Sequence, residues 1–114
     1  MKSLIGKKLG MTQIFDDEGC RVPVTVIEAG PCSVVQRKTE ETDGYEAIQI
    51  GFEEQKEHRV SKPLLGHFKK AGVAPMRSLC EVIVSADDET KAGDTLNASV
   101  FEEIKFVDVL GATK

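Results

Sequence analysis

Short runs in which apolar side chains recur at every second residue, each closed by a turn signal, restrict this chain more than any other feature. Met11 to Phe15 and Val22 to Glu28 flank Asp17-Glu18-Gly19 and predict a first hairpin. Val22, Val24 and Val26 share one face of the returning strand, and Pro23, which lacks an N–H, belongs near an edge or a strand start. After Gly30-Pro31, Cys32 to Lys38 and Tyr45 to Phe52 form a second pair about Asp43-Gly44, with Ile48, Ile50 and Phe52 on one face. Ser78 to Val84 is apolar on nearly both faces and predicts a central strand, and Lys105 to Leu110 reads as the last. The expected class is mainly β, a barrel or a sandwich.

One segment breaks the period of two. Between residues 60 and 72, Ser61 is placed to cap a helix opened by Lys62-Pro63, with Leu64, Leu65 and Phe68 on one side, Lys62, Lys69 and Lys70 on the other, and Gly72 as its stop. A shorter helical turn is expected at Val100 to Ile104, after the Gly93-Asp94 turn.

With 114 residues there is room for one domain, 1–114. No apolar stretch approaches the roughly 20 residues needed to cross a bilayer, and Gly6-Lys7-Lys8 interrupts the first apolar run too early for a signal-peptide core. Cys20, Cys32 and Cys80 show no C-x-x-C spacing and sit in or beside apolar runs, as expected of reduced structural thiols. These features predict a soluble cytoplasmic protein.

The formal charge of −4 argues against a phosphate-binding protein only if the charges are mixed, and they are not. The first fifteen residues hold Lys2, Lys7 and Lys8 without a carboxylate. His58 to Cys80 is likewise acid-free and holds Arg59, Lys62, Lys69, Lys70 and Arg77. The acids gather elsewhere, at Asp16-Asp17-Glu18, Glu40-Glu41, Glu53-Glu54, Asp87-Asp88-Glu89 and Glu102-Glu103. Enzyme signatures are lacking: there is no H-E-x-x-H, nucleophile elbow, P-loop or G-x-G-x-x-G. No catalytic residue, metal ligand or cofactor is expected. Gly6-Lys7-Lys8-Leu9-Gly10-Met11-Thr12 sets two lysines between glycines, which suits close backbone approach to a phosphate and equally suits a solvated turn.

The run Ile5-Gly6-Lys7-Lys8-Leu9-Gly10-Met11-Thr12-Gln13-Ile14-Phe15 resembles the N-terminal signature of the L-three family of large-subunit ribosomal proteins in its bacterial form. Three further blocks agree in order and spacing. They are Pro23 to Glu28, Asp43-Gly44-Tyr45 with Ala47-Ile48-Gln49, and Arg59 to Pro63 leading to Gly66 to Val73. The end, Val107-Asp108-Val109 followed by Gly111-Ala112-Thr113-Lys114, is similar to the family's strand that enters a Gly- and Lys-rich loop. The resemblance implies a six-stranded Greek-key β-barrel of the translation-protein type with a helical, basic insertion at 53–77, left incomplete if its closing strands are absent. It also implies a non-enzymatic structural role on the ribosome, with large-subunit ribosomal RNA and neighbouring large-subunit proteins as partners.

On this reading Lys7, Lys8, Arg59, Lys62, Lys69, Lys70 and Arg77 contact phosphates, while Thr12 and His67 are supporting donors. Family members run to about twice this length and carry their main basic loop beyond Lys114. A truncated, acidic β-barrel fragment acting as a protein-interaction module, without useful RNA affinity, is therefore the alternative. A flavin- or nucleotide-binding barrel shares the architecture but lacks a phosphate-binding loop in this sequence. Open sheet edges in a chain of this length predict self-association.

Overall fold

The protein is represented by a computed structural model that describes residues 3–87 and 89–113. Lys2, Asp88 and Lys114, whose charges or positions figure above, lie outside the described residues. The structure is mainly β, with two antiparallel sheets and one substantial helix.

The first sheet is the predicted hairpin. Strands β1 (Gly6–Phe15) and β2 (Arg21–Ala29) pair antiparallel, with Gly6 opposite Ala29 and Phe15 opposite Arg21. The reversal is built by Asp16, whose carboxylate accepts the amides of Glu18 at 3.0 Å and Cys20 at 2.7 Å, and by Gly19 at φ 81°. Strand β1 starts five residues before the expected Met11, because Lys7 and Lys8 join the ladder and a bulge between Lys8 and Gly10 restores its register.

The second sheet runs β5-β4-β3-β6 and is formed by β3 (Cys32–Lys38), β4 (Ala47–Glu54), β5 (Met76–Ile83) and β6 (Thr95–Leu96). Between β3 and β4 the four-residue helix α1 (Glu40–Asp43) ends at Gly44 in the left-handed region, a helical turn where the sequence suggested a plain reversal. Ile48, Ile50 and Phe52 share a face, as their alternation predicts, and join Cys32, Val34, Val82 and Val84 in one buried cluster flanked by Leu4, Ile5 and Leu96. The opposite face lies under helix α2 (Lys62–Ala71), where fully buried Phe68 meets Val35 and Met76.

Several expectations need correction. Ser78 to Val84 lies in the outermost strand, not a central one; β3 and β4 hold the centre. It is apolar on both faces because one face enters the Phe52 cluster while Leu79 packs beneath the helix layer. Lys105 to Leu110 forms no strand among the described residues, since no neighbouring strand offers it a ladder, and its side chains are exposed. The turn predicted at Val100 to Ile104 falls instead at Ala98–Phe101 as a 3₁₀ helix. Ser61 stands at the N-cap of α2 but makes no side-chain cap hydrogen bond, whereas Gly72, at φ 73°, ends the helix as expected. The two sheets do not join into a closed barrel among the described residues, which matches the incomplete form of the expected fold.

Candidate nucleic-acid interface

The connection from β4 to β5 carries most of the expected cations. A 3₁₀ turn at Glu57–Arg59 exposes Arg59, and α2 follows at once. The helix is amphipathic. Phe68 is buried, while Lys62, Lys69 and Lys70 fall at helical positions that turn away from it, and all three are exposed. Lys69 and Lys70 also occupy the last turn, where the helix carbonyls favour positive charge. Arg77 is exposed at the start of β5. Among the described residues, Lys8, Arg59, Lys62, Lys69, Lys70 and Arg77 have no salt-bridge partner.

Lys7 differs from these. Its Nζ lies 3.0 Å from Glu53 Oε1, so part of its charge is spent inside the chain. This pair links the base of the hairpin to the end of β4, and Glu54, next along, is opposite Met76, the neighbour of Arg77. The two acid-free stretches therefore meet at one corner, with Glu53 and Glu54 between them. Lys8 continues up the hairpin, and Thr12 lies farther along, opposite Val24 and exposed.

His67 is neither a free surface group nor a cap. It is half-buried, with Nε2 2.7 Å from Gln49 Oε1, so this ring nitrogen fastens α2 to the middle strand β4. The sequence held no signal for that contact beyond Gln49 lying on the face opposite Ile48 and Ile50.

Between the hairpin and the sheet lies a groove of about 390 Å³, lined by Glu28, Gly30, Pro31, Ser33, Phe52, Glu53, Glu54, Met76 and Thr95. Three carboxylates at its wall repel a phosphate, so the groove does not suit a flavin or a nucleotide. One group of potential metal ligands occurs among the described residues, Asp16, Glu18 and Cys20 at the hairpin tip. All three are exposed, and the Asp16 carboxylate already serves the turn amides.

A third polar cluster, for which the sequence carries no local signal, ties β3 to the outer strand β5. Lys38 Nζ pairs with Glu81, and the Tyr45 hydroxyl donates to the same carboxylate at 2.8 Å. The hydrogen bond from Lys38, followed by that from Tyr45, holds the Glu81 carboxyl below the usual carboxylate range. The same contacts, Glu81 first, hold the Lys38 ammonium above its ordinary value. Nearby, Arg37 Nη2 donates to Glu46 at 3.0 Å.

Fold and surface together define an open, two-sheet β protein whose cations are displayed on exposed elements rather than gathered in a cleft. No family model matches the chain. Comparison with curated proteins is informative along its whole length. The chain is 54% identical over 114 residues to the large ribosomal subunit protein uL3 of Corynebacterium jeikeium, covering 100% of this chain and 52% of that protein. It is 54% identical over 113 residues to uL3 of Heliobacterium modesticaldum and 56% identical over 113 residues to uL3 of Pelotomaculum thermopropionicum, covering 99% of this chain and 54% of each relative. The chain belongs to the uL3 family of large ribosomal subunit proteins, the family its N-terminal signature resembles. It spans about half the length of the curated relatives it matches.

Proposed function

We propose that this chain is a structural, non-enzymatic component of the large ribosomal subunit in the cytoplasm, folding as one domain over 1–114 and binding large-subunit ribosomal RNA during early assembly beside neighbouring ribosomal proteins. The observation that carries this reading is the outer surface of the β4–β5 connection. There Arg59, Lys62, Lys69 and Lys70 are exposed and without an ion-pair partner among the described residues, in a protein whose acids outnumber its bases. Folding keeps these charges available to phosphates, and the apolar side of α2 gives them a rigid mount. Lys8 and Arg77 extend the same role, Lys7 shares its charge with Glu53, and the Thr12 hydroxyl is a supporting donor. His67 supports the surface through Gln49. Recognition is by shape and backbone, not by base sequence.

The test is a filter-binding titration of large-subunit RNA over a range of salt. Replacing Lys62, Lys69 and Lys70 by Glu is expected to weaken binding and to lower the logarithmic salt slope by about 0.7 to 0.9 for each phosphate that is no longer neutralised. Replacing Lys7 and Lys8 by Glu is expected to do the same. An unchanged slope sinks the assignment. The protein-interaction alternative is favoured by the exposed apolar residues of the hairpin, among them Leu9, Met11, Ile14 and Phe15, and it predicts no saturable RNA binding in the parent chain.

A further inference from the structure

Gly66 sits in the interior of helix α2, where glycine is weaker than alanine because it loses more backbone freedom on folding and adds no side-chain contact. No turn or packing among the described residues accounts for it. Its backbone is not in the left-handed region, and a Cβ built there would meet nothing within 4 Å beyond the helix's own backbone. Gly51 is the contrast, since a Cβ there would strike Met76. An exposed glycine inside a helix does have one physical use: it lets the backbone of another molecule come close to the helix.

Given the RNA-binding reading proposed above, on which this step rests, we infer that Gly66 is the floor of a seat for the sugar–phosphate backbone of one RNA strand, with Lys62 on one rim and Lys69 and Lys70 on the other. Helical spacing builds the seat. Gly66 follows Lys62 by four residues and precedes Lys69 and Lys70 by three and four, so the four share one stripe of the helix, roughly opposite buried Phe68. At 1.5 Å per residue the rims stand about 10–12 Å apart along the axis. Between them the stripe carries no side chain to hold a ligand away. The three lysines are exposed and have no ion-pair partner among the described residues, and no acid occurs from His58 to Cys80. Phosphates seated here pair with the ammonium groups at both rims. An apolar protein surface packed on the same glycine would instead bury those ammonium groups without partners, which is costly.

The experiment reads stability and RNA affinity on the same variants. Gly66→Ala fits without a clash and favours the helix, so it is expected to raise the urea midpoint by about 0.5 M while weakening binding of large-subunit RNA about threefold or more. Gly66→Leu, also a good helix former, should weaken binding about tenfold or more with the far-ultraviolet circular dichroism unchanged. Movement of stability and affinity in opposite directions separates a ligand contact from a folding defect. Three results overturn the proposal. A Gly66→Ala chain with a lowered urea midpoint would place the need for glycine inside the fold. Parent-like RNA affinity in both variants would remove the seat, even where replacing Lys62, Lys69 and Lys70 by Glu still lowers the salt slope. A parent chain without saturable RNA binding would remove the RNA-binding reading together with the seat.

Discussion

Lys7 Nζ and Glu53 Oε1 stand 3.0 Å apart, 46 residues distant in sequence, and join the first hairpin to the last residues of a central strand. The side chains are 55% and 35% exposed, so solvent screens the pair and its share of stability is small, about 0.5 kcal/mol or less. Its larger effect is on the charge that Lys7 shows to a phosphate. Glu53→Gln is expected to leave the urea midpoint nearly unchanged and to tighten RNA binding about two- to fivefold at low salt. RNA affinity that stays the same or falls would remove Lys7 from the interface.

Gly51 of β4 lies close beneath side chains of the neighbouring strand β5. A Cβ built there would stand 2.8 Å from Met76 Cγ and 2.9 Å from Met76 Cβ. Gly51→Ala is expected to destabilise the fold by about 1–3 kcal/mol through overpacking. Because the clash involves the first atoms of the Met76 side chain, Met76→Ala should recover only part of the loss, which denaturant melts of the single and double variants can resolve.

Phe68 is the one large side chain of α2 that is fully buried. Phe68→Ala should cost about 3–5 kcal/mol and loosen the mount of Lys62, Lys69 and Lys70. Chemical denaturation gives the first effect. The second appears as weaker RNA binding under conditions where the variant is still folded.

Acid should act through Glu81. Its carboxyl titrates below the ordinary value in the folded chain, so the unfolded chain takes up the proton first as pH falls. The stabilisation is present above the unfolded value and is lost as pH drops through the folded one. Lys38 works in the opposite sense: its contribution is complete below its unfolded value and fades only in strong alkali. Urea midpoints of the parent chain and Glu81→Gln should therefore differ most near neutrality and converge below about pH 4.

The three thiols should separate by reactivity. Cys32 is fully buried, donates to the Ile5 carbonyl at 3.6 Å, and has its thiol pushed up by burial, whereas Cys20 and Cys80 are exposed. A thiol-specific reagent is expected to modify Cys20 and Cys80 in the native chain and Cys32 only on unfolding, as peptide mass mapping would show.

The alternation of Val22, Val24 and Val26 and of Ile48, Ile50 and Phe52 made β2 and β4 legible in the sequence, and the turn signals beside them placed their partners β1 and β3. Lys62-Pro63 and Gly72 did the same for the helix, because both signals act within a few residues. Sheet order was not legible. Ser78 to Val84 has the composition of a central strand, yet on its second face only Leu79 packs in the helix-side cluster while Ile83 is exposed, and which element meets a face is a tertiary fact. Lys105 to Leu110 has a strand's composition without a strand's partner. For the interface, charge segregation marked the exposed cations, but it could not separate Lys7, held by Glu53, from Lys8, or foresee Gln49 meeting His67. Those distinctions depend on side chains brought together from distant parts of the chain.

The hairpin's small share in the buried clusters has a consequence for how the molecule opens. Strands β3 and β4 are shielded by apolar side chains on both faces, while β1 and β2 are joined to the rest mainly at their base. Amide protons of the ribbon can therefore exchange with solvent through a local opening that leaves Ile50 and Phe68 packed, whereas those of the central strands require the whole sheet to unfold. The chain thus has two tiers of protection, and its signature segment lies in the weaker one.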